Sequence, residues 1–238
     1  MLHHGLYEQV INNALTSELA EIPEACKSVA PIDQAEASKV LTQYLADVVQ
    51  KGLDHVLDNG GDISDQIELT NQIVGLIQNT TKEADFAALG VDRRAEQLFA
   101  LLREKDSRLA AGKTASDIER PETSTARSSL FTGAVHEPQM FTELKKEIVS
   151  ADRIDMLVSF IKWSGLRLIM DELREFTRNG GELRVITTSY MGATDVKAIE
   201  ELRQLPNTQI KVSYNTKMTR LHAKAYIFYR ETGFTTAY

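Results

Sequence analysis

Apolar side chains recur at steps of three and four residues through the first 111 positions, the spacing of one face of an α-helix. Strand-like alternation is missing from this part of the sequence. A small all-α N-terminal domain is therefore expected at residues 1–111, built from antiparallel helices. Its helices are predicted over residues 5–16, 35–57, 64–79 and 92–111.

Residues 112–134 are poor in bulky apolar side chains and rich in Ser and Thr, which predicts a linker. From residue 135 onward, helical periods alternate with short apolar runs typical of strands. The pattern predicts helices over residues 137–150, 164–178 and 194–205, and strands over residues 153–160, 182–189, 208–214 and 223–229.

Strands separated by helices of this length favour right-handed crossovers and a parallel sheet. The predicted fold class is α/β, with a mostly parallel sheet flanked by helices on both faces, in a domain at residues 135–238. Sheets of this kind bind ligands beyond the carboxyl ends of their strands. The loops expected there are residues 161–164 and 190–193.

The composition argues against disulfide-bonded, membrane-spanning and secreted proteins. The single Cys26 excludes an internal disulfide and is typical of a reducing compartment. No apolar run approaches the roughly 20 residues that span a bilayer, and the N-terminus lacks the pattern of a secretory signal. We expect a cytoplasmic protein that uses no membrane, metal or cofactor.

The net charge of −7 is unevenly distributed. Residues 1–120 hold 11 Lys and Arg against 20 Asp and Glu, whereas residues 121–238 hold 16 against 14. The acidic half is unsuited to approach a phosphate backbone, while the second half permits it. Charge alone does not predict nucleic-acid binding.

The residues best suited to catalysis lie near the end of the sequence, in Leu221-His222-Ala223-Lys224 at the start of the last predicted strand. Residues two apart in a strand point to the same face, so His222 and Lys224 should project together. A neutral imidazole can act as nucleophile or general base, and an ammonium can stabilise charge on a phosphate oxygen. This pair is suited to phosphoryl chemistry without a metal. The alternative interpretation is a solvated strand face.

Three further cations precede the pair, namely Lys211, Lys217 and Arg220. As contacts to phosphates, Arg220 and Lys217 would position a nucleic-acid backbone without reading its sequence. Ordinary surface cations are the alternative.

Three sequence blocks together resemble the phospholipase D superfamily. The block 157–166 reads LVSFIKWSGL, the block 187–195 reads TTSYMGATD, and the block 219–226 reads TRLHAKAY, with His-x-Lys inside it. In this order they resemble the phospholipase D-like nuclease domain near the N-terminus of certain bacterial DEAD/DEAH-box, restriction-like helicases. The resemblance covers roughly residues 135–238.

The resemblance implies a metal-independent phosphodiesterase that cleaves DNA through a phosphohistidine on His222. It also implies a homodimer that shares one active site, and helicase domains that follow in a longer protein. Two departures leave alternatives open. Tyr229 stands where the fuller superfamily pattern has an aspartate, and the sequence stops before the expected Ser/Asn-containing turn, which suggests a truncated domain. The rival is a catalytically inactive domain that binds nucleic acid or dimerises; a lipid phosphodiesterase ranks below both.

Polar and aromatic residues of the two expected loops have competing interpretations. Trp163 could stack on a base, but packing is the commoner role of a lone tryptophan at such a turn. Ser164 and Thr194 are predicted as N-caps of the helices that follow them. The glycine in the loop 190–193 suits a tight turn, and the amides there could hold an anion.

Overall fold

The computed structural model describes residues 2–101, 112, 114–132, 134, 136–215 and 221–238. The chain divides into two compact units, Met1–Phe99 and Ala100–Tyr238, called unit 1 and unit 2 below. In the described residues no helix is long and apolar enough to cross a membrane.

Unit 1 is built from helices, and two of its predicted helices are confirmed within two residues at each end. Asp62 and Asp65 form a capping box at the start of the third helix, where the Asp62 carboxylate accepts from the Ser64 amide at 2.7 Å. The α-helices are α1 (Asn13–Ala20), α2 (Ala37–Asp58) and α3 (Ile63–Thr81), and the 3₁₀ helices are Glu24–Cys26 and Ala84–Leu89.

Two helix predictions in unit 1 are wrong. Helix α1 begins at Asn13, because the Asn12 side chain accepts from the Leu15 amide at 3.0 Å and caps the helix there. The predicted helix at 92–111 is absent from its described part, residues 92–101. The Asp92 carboxylate accepts from the Arg94 amide at 2.9 Å, a local turn that competes with a helix. The remainder of that prediction lies outside the described residues.

Helices α2 and α3 contact each other near their connecting turn. The Gln66 side-chain amide donates to the Leu53 carbonyl at 3.0 Å across this contact. No residue of unit 1 that the structure describes is fully buried. Apolar residues further from the turn remain exposed, among them Leu45 and Leu76, at 56% and 66%.

Unit 2 is an α/β unit with a mostly parallel sheet, as predicted. Its strands are β1 (Arg153–Val158), β2 (Glu182–Thr188), β3 (Thr208–Ser213), β4 (Lys224–Tyr229) and β5 (Thr236–Ala237). Its α-helices are α4 (Met140–Ser150), α5 (Trp163–Leu166), α6 (Met170–Arg178) and α7 (Val196–Arg203), and its 3₁₀ helices are Ala115–Asp117 and Tyr190–Gly192.

The sheet has the strand order β3-β2-β1-β4-β5. Strands β1, β2 and β3 are mutually parallel, β4 pairs antiparallel with β1, and β5 pairs antiparallel with β4. Four of these five strands therefore run in one direction, and β4 runs against them. As a result, β4 starts at the sheet edge where β1, β2 and β3 end.

The core lies on one face of the sheet. Burial alternates along β1 and β2, and the buried strand residues include Ile154, Met156 and Leu183. They pack with residues of the four α-helices that the structure describes in unit 2, such as Ile148 of α4 and Leu202 of α7. Helices were expected on both faces of the sheet, but the described core residues lie on one face. The crossovers from β1 to β2 and from β2 to β3 move across the sheet in the same direction. Because such parallel connections are right-handed, their helices lie on the same face of the sheet.

The helix predicted over residues 164–178 is broken into α5 and α6. Leu168 and Ile169 donate to carbonyls three residues earlier, those of Gly165 and Leu166, at 3.1 and 3.0 Å. These tighter turns interrupt the α-helical ladder and let Ile169 reach the core.

Part of the predicted linker contacts α4. The Thr123 amide and hydroxyl both donate to the Glu143 carboxylate at 3.0 Å, and Pro121 is buried. Glu143 itself is fully buried, so this contact holds residues 121–123 against α4.

Candidate functional site

The start of β4 meets the two loops where a ligand is expected. Lys224 pairs with Val158, the last residue of β1, and β2 ends nearby at Thr188. The loops 161–164 and 190–193 follow β1 and β2, so they lie at the same sheet edge as His222 and Lys224. The prediction that these loops mark the carboxyl edge is confirmed.

His222 and Lys224 are both exposed at this edge. Ala223 continues the pairing of β4 with β1 by one residue, because its carbonyl accepts from the Ser159 amide at 2.8 Å. The chain is therefore extended through Ala223, and side chains two apart along it point to the same face. An imidazole and an ammonium placed in this way can contact one phosphate group from solvent.

The face that carries Lys224 is the helix-covered face. Directly opposed residues of an antiparallel pair share a face, and Lys224 is opposite the buried Val158. Lys224, Tyr226 and Phe228 form one row on this face of β4. Tyr226 is half-buried and Phe228 is fully buried. Burial raises the pKa of the Tyr226 hydroxyl, so it remains a hydrogen-bond donor at neutral pH. The row thus runs from a charged edge to the core.

Ser159, the residue after β1, holds the segment between the two candidate side chains. Its hydroxyl accepts from the Ala223 amide at 3.0 Å and donates to the Ala223 carbonyl at 3.0 Å. Ser159 is 6% exposed. Sequence reasoning missed this contact because it joins residues 64 positions apart.

The loop after β2 is held by threonine hydroxyls. Thr194 donates to the Thr188 carbonyl at 2.7 Å, so the Thr194 hydroxyl closes this loop and the prediction that it caps a helix is wrong. The Tyr190 amide donates to the Thr188 hydroxyl at 3.1 Å. Met191 and Gly192 adopt positive φ angles of 56° and 60°. The glycine therefore serves the tight turn that was predicted for it.

Asp195 joins the two loops. Its carboxylate accepts from the Lys162 ammonium at 3.0 Å and from the Trp163 amide at 2.8 Å. The bond from the Trp163 amide, together with Lys162, holds the pKa of Asp195 below its ordinary value. Because Asp195 supplies the acceptor at the start of α5, the prediction that Ser164 caps this helix is wrong. Two signals for Asp195 existed in the sequence: its place at the end of the block 187–195 and its place just before α7.

Trp163 has the packing role. It packs against the core cluster, and the Lys197 ammonium lies 4.6 Å from the centre of its ring. The contact is a cation–π interaction that occupies one ring face. Base stacking on that face would require Lys197 to move.

Of the remaining predicted cations, only Lys211 lies in the described residues. Lys211 pairs with Ile186 in the sheet, and Ile186 pairs with Leu157. These residues share the face opposite to Val158 and Lys224, so Lys211 does not join the pair. The two predicted substrate-binding residues, Arg220 and Lys217, lie outside the described residues.

Tyr229, which stands where the superfamily pattern has an aspartate, lies at the end of β4 opposite to Lys224. It pairs with Arg153, the first residue of β1, and its ring centre is 3.9 Å from the Arg153 guanidinium. Five residues at a rise of about 3.3 Å place it roughly 16 Å from Lys224. The side chain at position 229 is thus remote from the edge where His222 lies.

Within the described ranges, no three His, Cys, Asp or Glu side chains converge in the manner of metal ligands. A scan against protein-family models finds no match for the chain, and a search of curated proteins finds no match either.

Proposed function

We propose that unit 2 is a metal-independent phosphodiesterase of the phospholipase D superfamily, acting on DNA as part of a larger helicase-type protein. The observation that carries the proposal is the meeting of His222 and Lys224 with the loops after β1 and β2 at one solvent-exposed edge. The three sequence blocks that resemble the superfamily belong to these same segments.

In the proposed reaction, an imidazole nitrogen of His222 attacks the phosphorus of a phosphodiester in line with the leaving oxygen. The N–P bond forms as the P–O bond breaks, and the leaving alkoxide takes a proton from a general acid. The Lys224 ammonium stabilises the charge that develops on the non-bridging oxygens. Water then hydrolyses the phosphohistidine and restores the free imidazole.

One imidazole cannot serve as nucleophile and as leaving-group acid on opposite sides of the same phosphorus. We therefore propose that two copies of the chain pair, so that His222 of the second copy donates the proton. The exposed position of His222 supports this arrangement, because the ring is accessible to another chain. Arg220 and Lys217 are proposed to bind the DNA backbone beside the pair.

The test is cleavage of a labelled DNA by the full chain in excess EDTA, with His222→Ala as the variant. Loss of a nucleophile is expected to lower the rate by about 10³-fold or more. His136→Ala is a matched control, because His136 is also exposed in unit 2 but belongs neither to β4 nor to the two loops of the candidate site. The control should retain the rate of the unmodified chain.

Other outcomes separate the rival functions. Cleavage that requires added magnesium would contradict the proposed mechanism. DNA binding that weakens with salt, without any cleavage, would favour the inactive nucleic-acid-binding domain. Cleavage of phospholipid vesicles in place of DNA would favour the lipid enzyme.

A further inference from the structure

The Ser159 hydroxyl replaces a backbone group in the pairing of β1 with the β4 segment. In a hydrogen-bonded antiparallel pair, the two residues exchange both N–H to carbonyl bonds. Ser159 donates its amide to the Ala223 carbonyl at 2.8 Å, but the Ala223 amide donates to the Ser159 hydroxyl at 3.0 Å. The hydroxyl also donates to the Ala223 carbonyl at 3.0 Å.

These bonds fix the peptide planes on both sides of Ala223. The Ala223 amide belongs to the peptide that joins it to His222, and its carbonyl belongs to the peptide that joins it to Lys224. Each peptide unit is planar, so its orientation limits the backbone angles of the residues beside it. One buried hydroxyl thereby constrains the directions of the His222 and Lys224 side chains.

The constraint matters most for His222, because strand β4 begins only at Lys224. The backbone bond from the Ser159 amide to the Ala223 carbonyl orients the peptide that follows Ala223, not the peptide that follows His222. The bonds to Ser159 extend the ordered segment to the peptide that follows His222.

We infer that Ser159 is a positioning residue, whose hydroxyl holds the His222 imidazole and the Lys224 ammonium in the relative orientation needed to attack a phosphodiester. This inference rests on the proposed phosphodiesterase function. Because Ser159 itself is buried, we expect it to act without contacting the phosphate.

The test compares Ser159→Ala with Thr177→Val, a matched loss of a buried hydroxyl. Thr177 is 1% exposed, and its hydroxyl donates to the Leu173 carbonyl at 2.8 Å within α6. It therefore controls for a general loss of stability. Two readouts are taken on the full chain: hydrogen exchange of the Ala223 amide without substrate, and kcat and KM for DNA cleavage in EDTA.

In Ser159→Ala, we expect the Ala223 amide to exchange about tenfold faster, the change that accompanies loss of one net hydrogen bond. We expect kcat to fall by about 10²-fold with KM nearly unchanged, because misplaced groups bind substrate but align poorly for reaction. Thr177→Val should leave both readouts unchanged. Ser159→Thr keeps the hydroxyl and should restore most of kcat.

If Ser159→Ala does not fold, Ser159→Cys replaces it, since a thiol is a weaker hydrogen-bonding group and should give an intermediate fall in kcat. An active wild-type chain whose kcat is unchanged in Ser159→Ala or Ser159→Cys would overturn the positioning role and leave the proposed function intact. A wild-type chain that cleaves no DNA in EDTA would overturn the proposed function, and the positioning role with it.

Discussion

Units 1 and 2 both contain helices predicted from apolar periodicity, but they differ in how they bury apolar surface. In unit 1, α2 and α3 follow the predicted periodicity, yet no described residue is fully buried. In unit 2, one face of a sheet and four helices enclose a core that includes the fully buried Leu173 and Phe228. Periodicity therefore located α2 and α3, whereas a core requires a second layer that covers the apolar faces of helices. We expect unit 2 to unfold cooperatively, with higher stability than unit 1.

The largest expected difference comes from truncating one apolar side chain in each unit. Phe228→Ala should lower the free energy of unfolding of unit 2 by about 3–5 kcal/mol, because it opens a cavity in the core. Leu45→Ala should change stability by no more than about 0.5 kcal/mol, since Leu45 is 56% exposed.

Urea unfolding followed by tryptophan fluorescence measures this difference in unit 2. The chain has one tryptophan, Trp163, and it packs against the unit 2 core. Circular dichroism at 222 nm reports on the helices of both units. A loss of several kcal/mol in Leu45→Ala would contradict the comparison, because it would show that unit 1 contains a core of its own.

A second expected loss of stability concerns the buried carboxylate of Glu147 in α4. It accepts from the Arg230 guanidinium, from the Thr236 hydroxyl at 2.8 Å and from the Tyr238 hydroxyl at 3.0 Å. Glu147→Ala should cost unit 2 about 3 kcal/mol, since it leaves the largely buried Arg230 guanidinium without its carboxylate partner.

The double variant Glu147→Leu with Arg230→Met should recover much of that loss, because apolar side chains can replace a buried ion pair. The measurement is again urea unfolding monitored at Trp163. Equal losses in the single and double variants would show that the uncompensated charge is not the cause.

The smallest expected effect concerns the contact of Glu143 with residues 121–123. Burial raises the pKa of Glu143, but bonds from Thr123 and Lys146 outweigh it and hold that pKa below the ordinary 4.5. A lowered pKa in the folded state stabilises the contact above pH 4.5. This stabilisation is lost as the pH falls through the lowered pKa.

Limited proteolysis of residues 121–132 between pH 7 and pH 3 checks the expectation. The unmodified chain should resist cleavage at neutral pH and become sensitive in acid, whereas Glu143→Gln should lack this carboxylate-dependent change. If both proteins respond identically to pH, Glu143 is not the group that holds this segment against α4.

The sequence predicted individual elements better than their arrangement. Apolar runs located β1, β2 and β3, but the antiparallel direction of β4 was not foreseen. A signal for it existed, because residues 214–223 contain no helical period. A parallel connection needs a crossover of a dozen or more residues, usually a helix. A return strand was therefore the better interpretation of this short connection.

The candidate site was predicted in part. The spacing of His222 and Lys224 is a local property, so the sequence was enough to pair them. Ser159 and Asp195 were missed because their partners, Ala223 and Trp163, are 64 and 32 positions away in the chain. Contacts of that range follow from the sheet order and not from periodicity. The chemical role of His222 stays a prediction, which the cleavage assay tests.

The row formed by Lys224, Tyr226 and Phe228 has a consequence for strand register. A slip of β4 by one residue would move every side chain of the strand to the opposite face. Ala225 and Ile227 would then enter the core, and the imidazole of His222 would face the other side of the sheet. The fit of one phenylalanine ring in the interior thus selects, six residues upstream, the side on which His222 meets solvent.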